Sequence, residues 1–235
     1  MKPYPVNLLC GLVLAAWTSP ALADTPPATG TTIATVSKVI SDVTRKEATK
    51  DWQKAKPGEL LRTGDRVRTG DRSIAIIKFK DNSLIRVRSQ SELTVNGTQK
   101  GSSFSKSVDV DRGGIGFTIA KQRSDEEFRF TSPTSVASIR GTGGQYVTSD
   151  GGDTLVVLTG SVKLTNRKSG DTVEVGSGFT GLSNPDGSIS QRPSTDDEKR
   201  AAADATRSGD QPMNLEFDLR DGQGKARNLH IDYKQ

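Results

Sequence analysis

The feature that most constrains the fold of this chain is a succession of short β-prone runs between residue 31 and about residue 182, separated by Gly, Asp, Asn and Ser. The clearest runs are 73–80, 84–88, 92–96, 114–120, 127–131, 145–148, 154–158, 161–165 and 172–175. Short strands with turn signals about every 8 to 12 residues are typical of all-β sandwiches, barrels and solenoid-like stacks. No alternation of strands with helical patterns is visible. We therefore predict an all-β fold of short antiparallel strands.

The composition excludes several other classes of protein. Apolar residues make up 32% of the 235 residues and aromatic residues only 5%. Fifteen of the first 23 residues are apolar, so the remainder is poorer still in apolar side chains. This excludes a membrane protein with several spans and a large Leu-rich helical bundle, and it disfavours an enzyme with a large aromatic-lined pocket.

The apolar N-terminus has the layout of a secretory signal peptide over residues 1–23. Lys2 provides the positive start, residues 6–17 form an apolar run too short to span a bilayer, and Ala21-Leu22-Ala23 resembles a cleavage site. An uncleaved anchor and a lipoprotein are the alternatives. Cys10 lies inside the apolar run, which argues against lipid attachment. We expect a periplasmic or secreted protein with no transmembrane segment after cleavage.

Export determines which partners the basic chain can meet. Cys10 is the single cysteine, so the mature protein would contain no disulfide, thiolate metal site or cysteine nucleophile. The chain has 33 Lys and Arg residues against 28 Asp and Glu residues, a net charge of +5. Outside the cytoplasm we expect no nucleic acid partner. Anionic glycans, lipid head groups and acidic protein surfaces fit this charge better.

The mature chain divides into four parts. We predict a flexible N-terminus over residues 24–32, a β domain over 33–183, a linker over 184–212 and a terminal β-hairpin over 213–235. Thr195 and Glu198 have the spacing of a capping box, which predicts a short helix from about 196 to 206 within the linker. That helix has no large apolar face, so we expect it to be linker-like.

A concentration of positive charge supplies the candidate binding surface. Between residues 62 and 88 there are eight cations and three anions. Alternation along residues 77–80 and 85–88 should place the cations on one face of a hairpin and the apolar side chains on the other. This face either keeps the sheet soluble or binds an anionic partner. The candidate binding residues are Arg66, Arg68, Lys78, Lys80, Arg86 and Arg88.

The sequence offers little material for catalysis or for a metal site. His230 is the single histidine and lies in the terminal hairpin, where alternation with Leu229 and Ile231 predicts a solvent-facing side chain. The segment starting at Asp109 resembles a calcium loop, but its twelfth position is Ala120 instead of a bidentate Glu. We predict no catalytic residue, metal or cofactor. A Ser-Lys or paired-carboxylate enzyme stays open as an alternative.

Several ordered motifs across roughly residues 33–182 together resemble the FecR domain family of periplasmic proteins. They begin with residues 57–61, 64–70, 73–77 and 81–83, and resume at 113–115, 130–142 and 157–162. Asn82 stands where the family usually has Gly, and Gly143-Gly144 stands where an aromatic residue is more usual. The motif residues that we single out are Gly64, Asp65, Gly70, Asp81, Pro133, Arg140, Gly141 and Thr142.

Physical chemistry gives these motif residues mainly structural roles. The repeated Thr-Gly-Asp-Arg at 63–66 and 69–72 pairs a Gly that tolerates positive φ with an Asp that caps a turn. Pro133 should end a strand. Residues 140–144 lack the lysine spacing of a phosphate-binding loop and a following helix pattern, so they predict a turn or bulge.

The resemblance implies an all-β FecR-type domain acting as an exported, non-enzymatic protein-interaction or sensory module, with an envelope or membrane protein as partner. The family's signal transducers relay the state of an outer-membrane transporter through a membrane helix. We find no internal membrane helix here, so we do not expect this chain to complete that relay alone. The alternative is a binding module for an anionic envelope glycan or lipopolysaccharide that uses the basic sheet face.

Overall fold

The computed structural model describes residues 31–100, 103–207, 213–220 and 226–233. The predicted signal peptide and residues 24–30 of the predicted flexible N-terminus lie outside these ranges. Residue 32, which we assigned to that N-terminus, already belongs to the first strand.

The described residues form nineteen strands and one helix. The first strands are β1 (Thr32–Ile40), β2 (Val43–Lys46), β3 (Gln53–Lys54), β4 (Leu60–Arg62), β5 (Asp65–Thr69), β6 (Ile74–Phe79), β7 (Leu84–Val87), β8 (Glu92–Lys100) and β9 (Ser103–Thr118). There follow β10 (Phe128–Thr131), β11 (Ser135–Ile139), β12 (Gly143–Ser149), β13 (Gly152–Thr159), β14 (Ser161–Asn166), β15 (Thr172–Gly176), β16 (Phe179–Ser183) and β17 (Ile189–Pro193). The chain continues with helix α1 (Asp196–Thr206) and the strands β18 (Met213–Arg220) and β19 (Ala226–Tyr233).

Strands β1 to β17 pair into two layers that share β9. Layer A has the order β4-β1-β6-β7-β9-β12-β13-β16-β17, and layer B has the order β3-β2-β5-β8-β9-β10-β11-β14-β15. The predicted all-β, sandwich-like fold is confirmed. The β9–β10 pair is parallel, which corrects the expectation of purely antiparallel pairing.

The long strand β9 passes from one layer to the other at a glycine. Its first part pairs with β8 and β10 in layer B, and its last part, from Gly113 onward, pairs with β7 and β12 in layer A. Gly113 has a φ of +86°, and a Cβ there would lie 2.7 Å from the Cα of Ser91. Only glycine fits this corner without strain, because it combines positive φ with close backbone approach.

The two layers hold each other through aromatic side chains that alternate inward along the strands. Phe79 of layer A meets Phe128 of layer B with ring centroids 5.0 Å apart, and Phe117 meets Phe130 at 4.9 Å, both edge to face. All four side chains are almost fully buried. Aromatic pairs in this geometry add about 0.5–1.5 kcal/mol each beyond the burial of their area, so these contacts fix how the layers stack.

The region after residue 183 differs from the predicted linker. Residues 184–187 form the expected turn, but β17 follows and pairs with β16, so the β domain extends to Pro193. Helix α1 has the bounds that the capping box indicated, and its first turn contains three acidic residues that favour the positive end of the helix dipole. The helix is not linker-like, because it packs on layer A through Ala202 and Ala205, both fully buried.

The predicted C-terminal hairpin is confirmed as a backbone pairing. Strands β18 and β19 are antiparallel, with Leu215 opposite Ile231 and Phe217 opposite Leu229. Within the described residues, no helix has the length and apolar character needed to cross a membrane.

Candidate functional site

The outer face of layer A is covered in part by helix α1, and small residues make this contact close. Gly116 of β9 lies under the last turn of the helix, where a Cβ would come within 1.9 Å of the Ala205 carbonyl oxygen. Ala202 and Ala205 point toward the sheet and are fully buried. The helix therefore packs through alanine on glycine and needs no large apolar side chain.

An arginine from β7 holds the C-terminal end of α1. The Arg86 Nη1 group donates hydrogen bonds to the carbonyl oxygens of Asp204, at 3.0 Å, and Arg207, at 2.6 Å. These carbonyls lie at the negative end of the helix dipole and have no partner within the helix. Burial lowers the pKa of the Arg86 guanidinium, and the neighbouring charge of Arg88 acts in the same direction. Arg86 nevertheless stays charged, because a guanidinium is not deprotonated in proteins.

A glutamate holds the N-terminal end of α1 against β16 and β17. Both carboxylate oxygens of Glu198 accept hydrogen bonds from Arg192, at 2.9 and 2.7 Å, and the Thr180 hydroxyl donates to it at 3.1 Å. Glu198 also accepts from the backbone N–H of Thr195, which completes the capping box. The Arg192 contacts contribute most to lowering the pKa of Glu198, to about 2.

Two predicted binding residues remain exposed on the outer face of layer A. Lys78 and Lys80 point away from the core on β6 and just after it, and both are exposed. The side chain of Arg88, just after the other end of β7, lies on the same face of layer A and is half-buried. Arg86 lies between the two lysines and Arg88, and its side chain is hydrogen-bonded to the end of α1. We call Lys78 and Lys80 the lysine pair, because they are the cations of this hairpin that a partner can reach most freely.

Arg66 and Arg68 belong to the outer face of layer B, so the six predicted cations do not share one surface. Glu92 of β8 is 5% exposed and accepts contacts from Arg66 at 2.6 Å and from Arg68 at 2.9 Å. Arg68 also stacks over the ring of Trp52, 4.1 Å from its centroid. Arg112 lies 3.5 Å from the same carboxylate. These arginines stabilise layer B, and Glu92 and Asp111 offset part of their positive charge.

The first motif residues shape turns on the β5 and β6 sides of the fold. Gly64 has a φ of +86° between β4 and β5, and Asp65 accepts a hydrogen bond from the backbone of Arg62 at 3.0 Å. Gly70 donates its N–H to the Asp42 carbonyl oxygen at 2.8 Å. Asp81 accepts from the backbone N–H of Ser83, in the β6–β7 turn, at 3.0 Å.

Asp81 also joins the two layers. It accepts hydrogen bonds from Lys106, a layer B residue that is 5% exposed, at 3.0 Å and from Gln122 at 2.9 Å. The next residue, Asn82, has a φ of +65°. Asn tolerates this conformation better than most residues, so it serves where the family usually has Gly.

The later motif residues also lie in turns. Pro133 lies between β10 and β11, where the β10 pairing ends. Gly141 has a φ of +67° between β11 and β12, and the Thr142 hydroxyl donates to the Ser161 carbonyl oxygen at 2.8 Å. Arg140 is exposed. A strand follows this turn where a phosphate-binding loop would need a helix, so its role is structural.

Within the described residues, no group of three or more His, Cys, Asp and Glu side chains has a metal-binding arrangement.

Sequence reasoning missed the contacts that depend on the order of the strands. The packing of α1 on Gly116 and the contacts of Glu92 with Arg66 join residues far apart in the chain. Glu198 and Arg192 are only six residues apart, but both lie in the segment that the sequence predicted to be a linker. The capping box at Thr195 was the one local signal that pointed to Glu198. It indicated where the helix begins but gave no information about what the helix packs on.

Comparisons with known proteins agree with this architecture. Residues 65–163 match the family model described as FecR protein. A crystal structure of a candidate anti-sigma factor from Parabacteroides distasonis superposes with a TM-score of 0.50 and 11% identity, covering 68% of this chain and 70% of that chain. A second crystal structure with the same description gives a TM-score of 0.49 and 11% identity over 66% and 68% of the two chains.

No curated protein sequence matches the chain. The structural likeness at 11% identity concerns the fold. The family assignment depends on the sequence match and on the ordered motifs around Gly64, Asp81 and Pro133. Residues 65–163 of this chain are therefore a FecR domain.

Proposed function

We propose that this protein is a non-enzymatic signalling or regulatory module that acts by binding another protein. The FecR domain at residues 65–163 is the observation that carries this proposal. The fold likeness to a candidate anti-sigma factor supports a regulatory role of the same general kind.

We infer that the module works in the cell envelope, in the periplasm or after secretion, and that its partner is an envelope or membrane protein. Residues 1–23 support export through their positive start, short apolar run and Ala-Leu-Ala site. The cysteine-free mature sequence also fits an exported protein that folds without disulfides.

The outer face of layer A is the surface that fits a protein partner best. Its lysine pair, Lys78 and Lys80, is exposed and forms no ion pair with another described residue, whereas Arg86 is used by α1, and Arg66 and Arg68 are paired with Glu92. An acidic protein surface would complement the pair. Charges of this kind steer association and give it a strong dependence on salt.

Charge reversal of the lysine pair tests this assignment. Lys78→Glu with Lys80→Glu should reduce retention of an envelope protein in a pull-down, because it replaces attraction by repulsion. Lys163→Glu is the matched control, because Lys163 is an exposed lysine on the outer face of layer B. Retention that is unchanged in the double variant, or equally reduced in the control, would overturn the assignment of this surface.

The unmodified protein and the double variant also distinguish a protein partner from an anionic polymer. Binding to purified lipopolysaccharide or anionic glycan in the absence of protein, lost in the double variant, would favour a polymer-binding module. The division of the six predicted cations between two layers reduces the continuous basic area available to such a polymer.

A further inference from the structure

A cleft lies at the end of the sandwich where four turns meet. The turns join β10 to β11, β12 to β13, β14 to β15 and β16 to β17, and together with the middle of β9 they enclose about 370 Å³. This volume falls within the range of about 300–1,000 Å³ that is common for small-molecule sites. The lining residues that matter here are Pro133, Thr148, Asp150, Lys168 and Pro185.

A buried carboxylate fixes two of these turns relative to each other. Asp153 follows the β12–β13 turn and is 2% exposed. One of its oxygens, Oδ2, accepts hydrogen bonds from Ser132 at 2.5 Å, Ser135 at 2.6 Å and Tyr146 at 3.0 Å. Ser132 and Ser135 flank the β10–β11 turn, so the carboxylate holds that turn against the β12–β13 hairpin.

A buried amide fixes the other two turns. Asn166 is fully buried and donates hydrogen bonds to the Ser183 hydroxyl and the Asn184 carbonyl oxygen, both at 2.8 Å. The side-chain oxygen of Asn166, Oδ1, accepts a hydrogen bond from the backbone N–H of Lys168 at 2.8 Å. Arg167 links the β14–β15 turn to the β10–β11 turn, because its side chain donates a hydrogen bond to the Ser132 carbonyl oxygen at 2.8 Å.

The result is a cleft whose rim is held before any ligand arrives. Burying polar side chains is unfavourable unless each is hydrogen-bonded, so a sandwich end that only closed the core would be built more simply from apolar residues. A site that is already ordered binds with a smaller entropic cost. We infer that the buried residues at this end serve to position the rim.

One buried polar atom at this end has no partner among the described residues. The second oxygen of Asp153, Oδ1, is shielded from solvent and accepts no hydrogen bond. Asp153 lies directly opposite Thr148 in the β12–β13 pairing, and Thr148 lines the cleft. Asp153 itself is 2% exposed and does not line the cleft, so its role there is to position the turns and not to contact a ligand.

The groups that remain available in the cleft define the class of ligand. Asp111 and Arg112 also line it, but Asp111 pairs with Arg66 at 3.0 Å and Arg112 lies near Glu92. The side chains of Asp150 and Lys168 are exposed and form no hydrogen bond or ion pair with another described residue, although Lys168 acts electrostatically on Asp186. The available charges are thus one anion and one cation.

We propose that this cleft binds a neutral saccharide. The carboxylate of Asp150 can accept hydrogen bonds from sugar hydroxyls, the ammonium of Lys168 can donate to them, and Pro133 and Pro185 offer apolar surface to the C–H face of a sugar ring. Balanced charge disfavours polyanions and polycations. The proposal is independent of the lysine pair, which lies on the outer face of layer A and does not line the cleft.

Titration of the full-length, isotope-labelled protein with neutral trisaccharides tests the proposal. Maltotriose, cellotriose and tri-N-acetylchitotriose, each at millimolar concentration, are the probes, and backbone amide chemical shifts are the readout. We expect at least one probe to shift the amides of Thr134, Asp150 and Lys168 in a saturable manner.

Substitutions of the free charges provide the decisive comparison. Asp150→Ala and Lys168→Ala should each weaken the saccharide affinity by about tenfold or more, which corresponds to about 1.4 kcal/mol. Asp51→Ala is the matched control, since Asp51 is an exposed carboxylate that does not line the cleft, and it should bind like the unmodified protein. The proposal is overturned if no probe gives saturable shifts, if the shifts map elsewhere, or if both cleft variants bind normally.

Discussion

Arg86 donates a hydrogen bond to the Arg207 carbonyl oxygen at 2.6 Å, and this contact attaches the C-terminal end of α1 to strand β7. The two residues are 121 positions apart in the chain. The contact converts a helix with little apolar surface into part of the domain. It also removes Arg86 from the set of cations that a partner can bind.

Arg86→Ala should therefore loosen α1 more than it alters any partner-binding surface. Loss of the two charge-assisted bonds at the helix end should reduce the free energy of unfolding by about 1–2 kcal/mol. Amide hydrogen exchange of Ala202 and Ala205 should become faster. Arg88→Ala removes a cation of the same strand region that forms no hydrogen bond or ion pair with α1 among the described residues, so it should leave that exchange unchanged.

The glycine beneath α1 gives a second test of helix packing. In Gly116→Ala the new methyl group would meet the Ala205 carbonyl oxygen, so α1 must shift away from the sheet. Overpacking of this kind costs about 1–3 kcal/mol, to be measured by denaturant unfolding. Gly176→Ala is the control, because a Cβ there meets nothing within 4 Å. Equal stability of the two variants would contradict the packing described here.

Gly113 should be the least tolerant glycine of the β9 corner. Gly113→Ala forces a side chain into a φ of +86° and against the Cα of Ser91, so we expect a loss of at least about 1–3 kcal/mol in the free energy of unfolding. Gly114→Ala places its Cβ 3.3 Å from a Val147 methyl group, which can adjust. The adjacent variant should be much closer to the unmodified protein in thermal unfolding.

Acid should weaken the N-terminal attachment of α1. The pKa of Glu198 is lowered to about 2 in the folded protein, mainly by Arg192. The ordinary value for Glu is about 4.3, so the contribution of Glu198 is fully present above that pH and is lost as the pH falls toward 2. We expect the stability of the Glu198→Gln variant to fall less steeply across this range than that of the unmodified protein.

The control for this pH dependence is Glu174→Gln on strand β15, an exposed carboxylate that forms no hydrogen bond or ion pair with α1 in the described part of the chain. Its stability should follow the same pH profile as the unmodified protein. A Glu198→Gln profile with the full acid dependence would show that the attachment of α1 does not depend on this carboxylate.

Much of the fold follows from local sequence. The alternation along 77–80 and 85–88 predicted β6, β7 and their facing, and Thr195 with Glu198 predicted where α1 begins. Each of these signals involves residues within a few positions of one another. The terminal hairpin was predicted on the same basis.

The rest depended on which strands become neighbours. The alternation of side chains correctly placed Arg86 on the outer face. It could not show that α1 would cover this arginine, because the helix begins 110 residues later and packs against a glycine, Gly116. The neutralisation of Arg68 by Glu92 required the pairing of β5 with β8. The cleft was not foreseen, since it combines turns that are distant in the chain.

Site-specific photocrosslinking in cells tests the proposal that this protein acts by binding an envelope protein through the outer face of layer A. A photoreactive residue would replace Lys80 in one variant and Lys163, on layer B, in the other. We expect a discrete crosslinked envelope protein from position 80 and none from position 163. No protein adduct at position 80, or the same adduct from both positions, would contradict it.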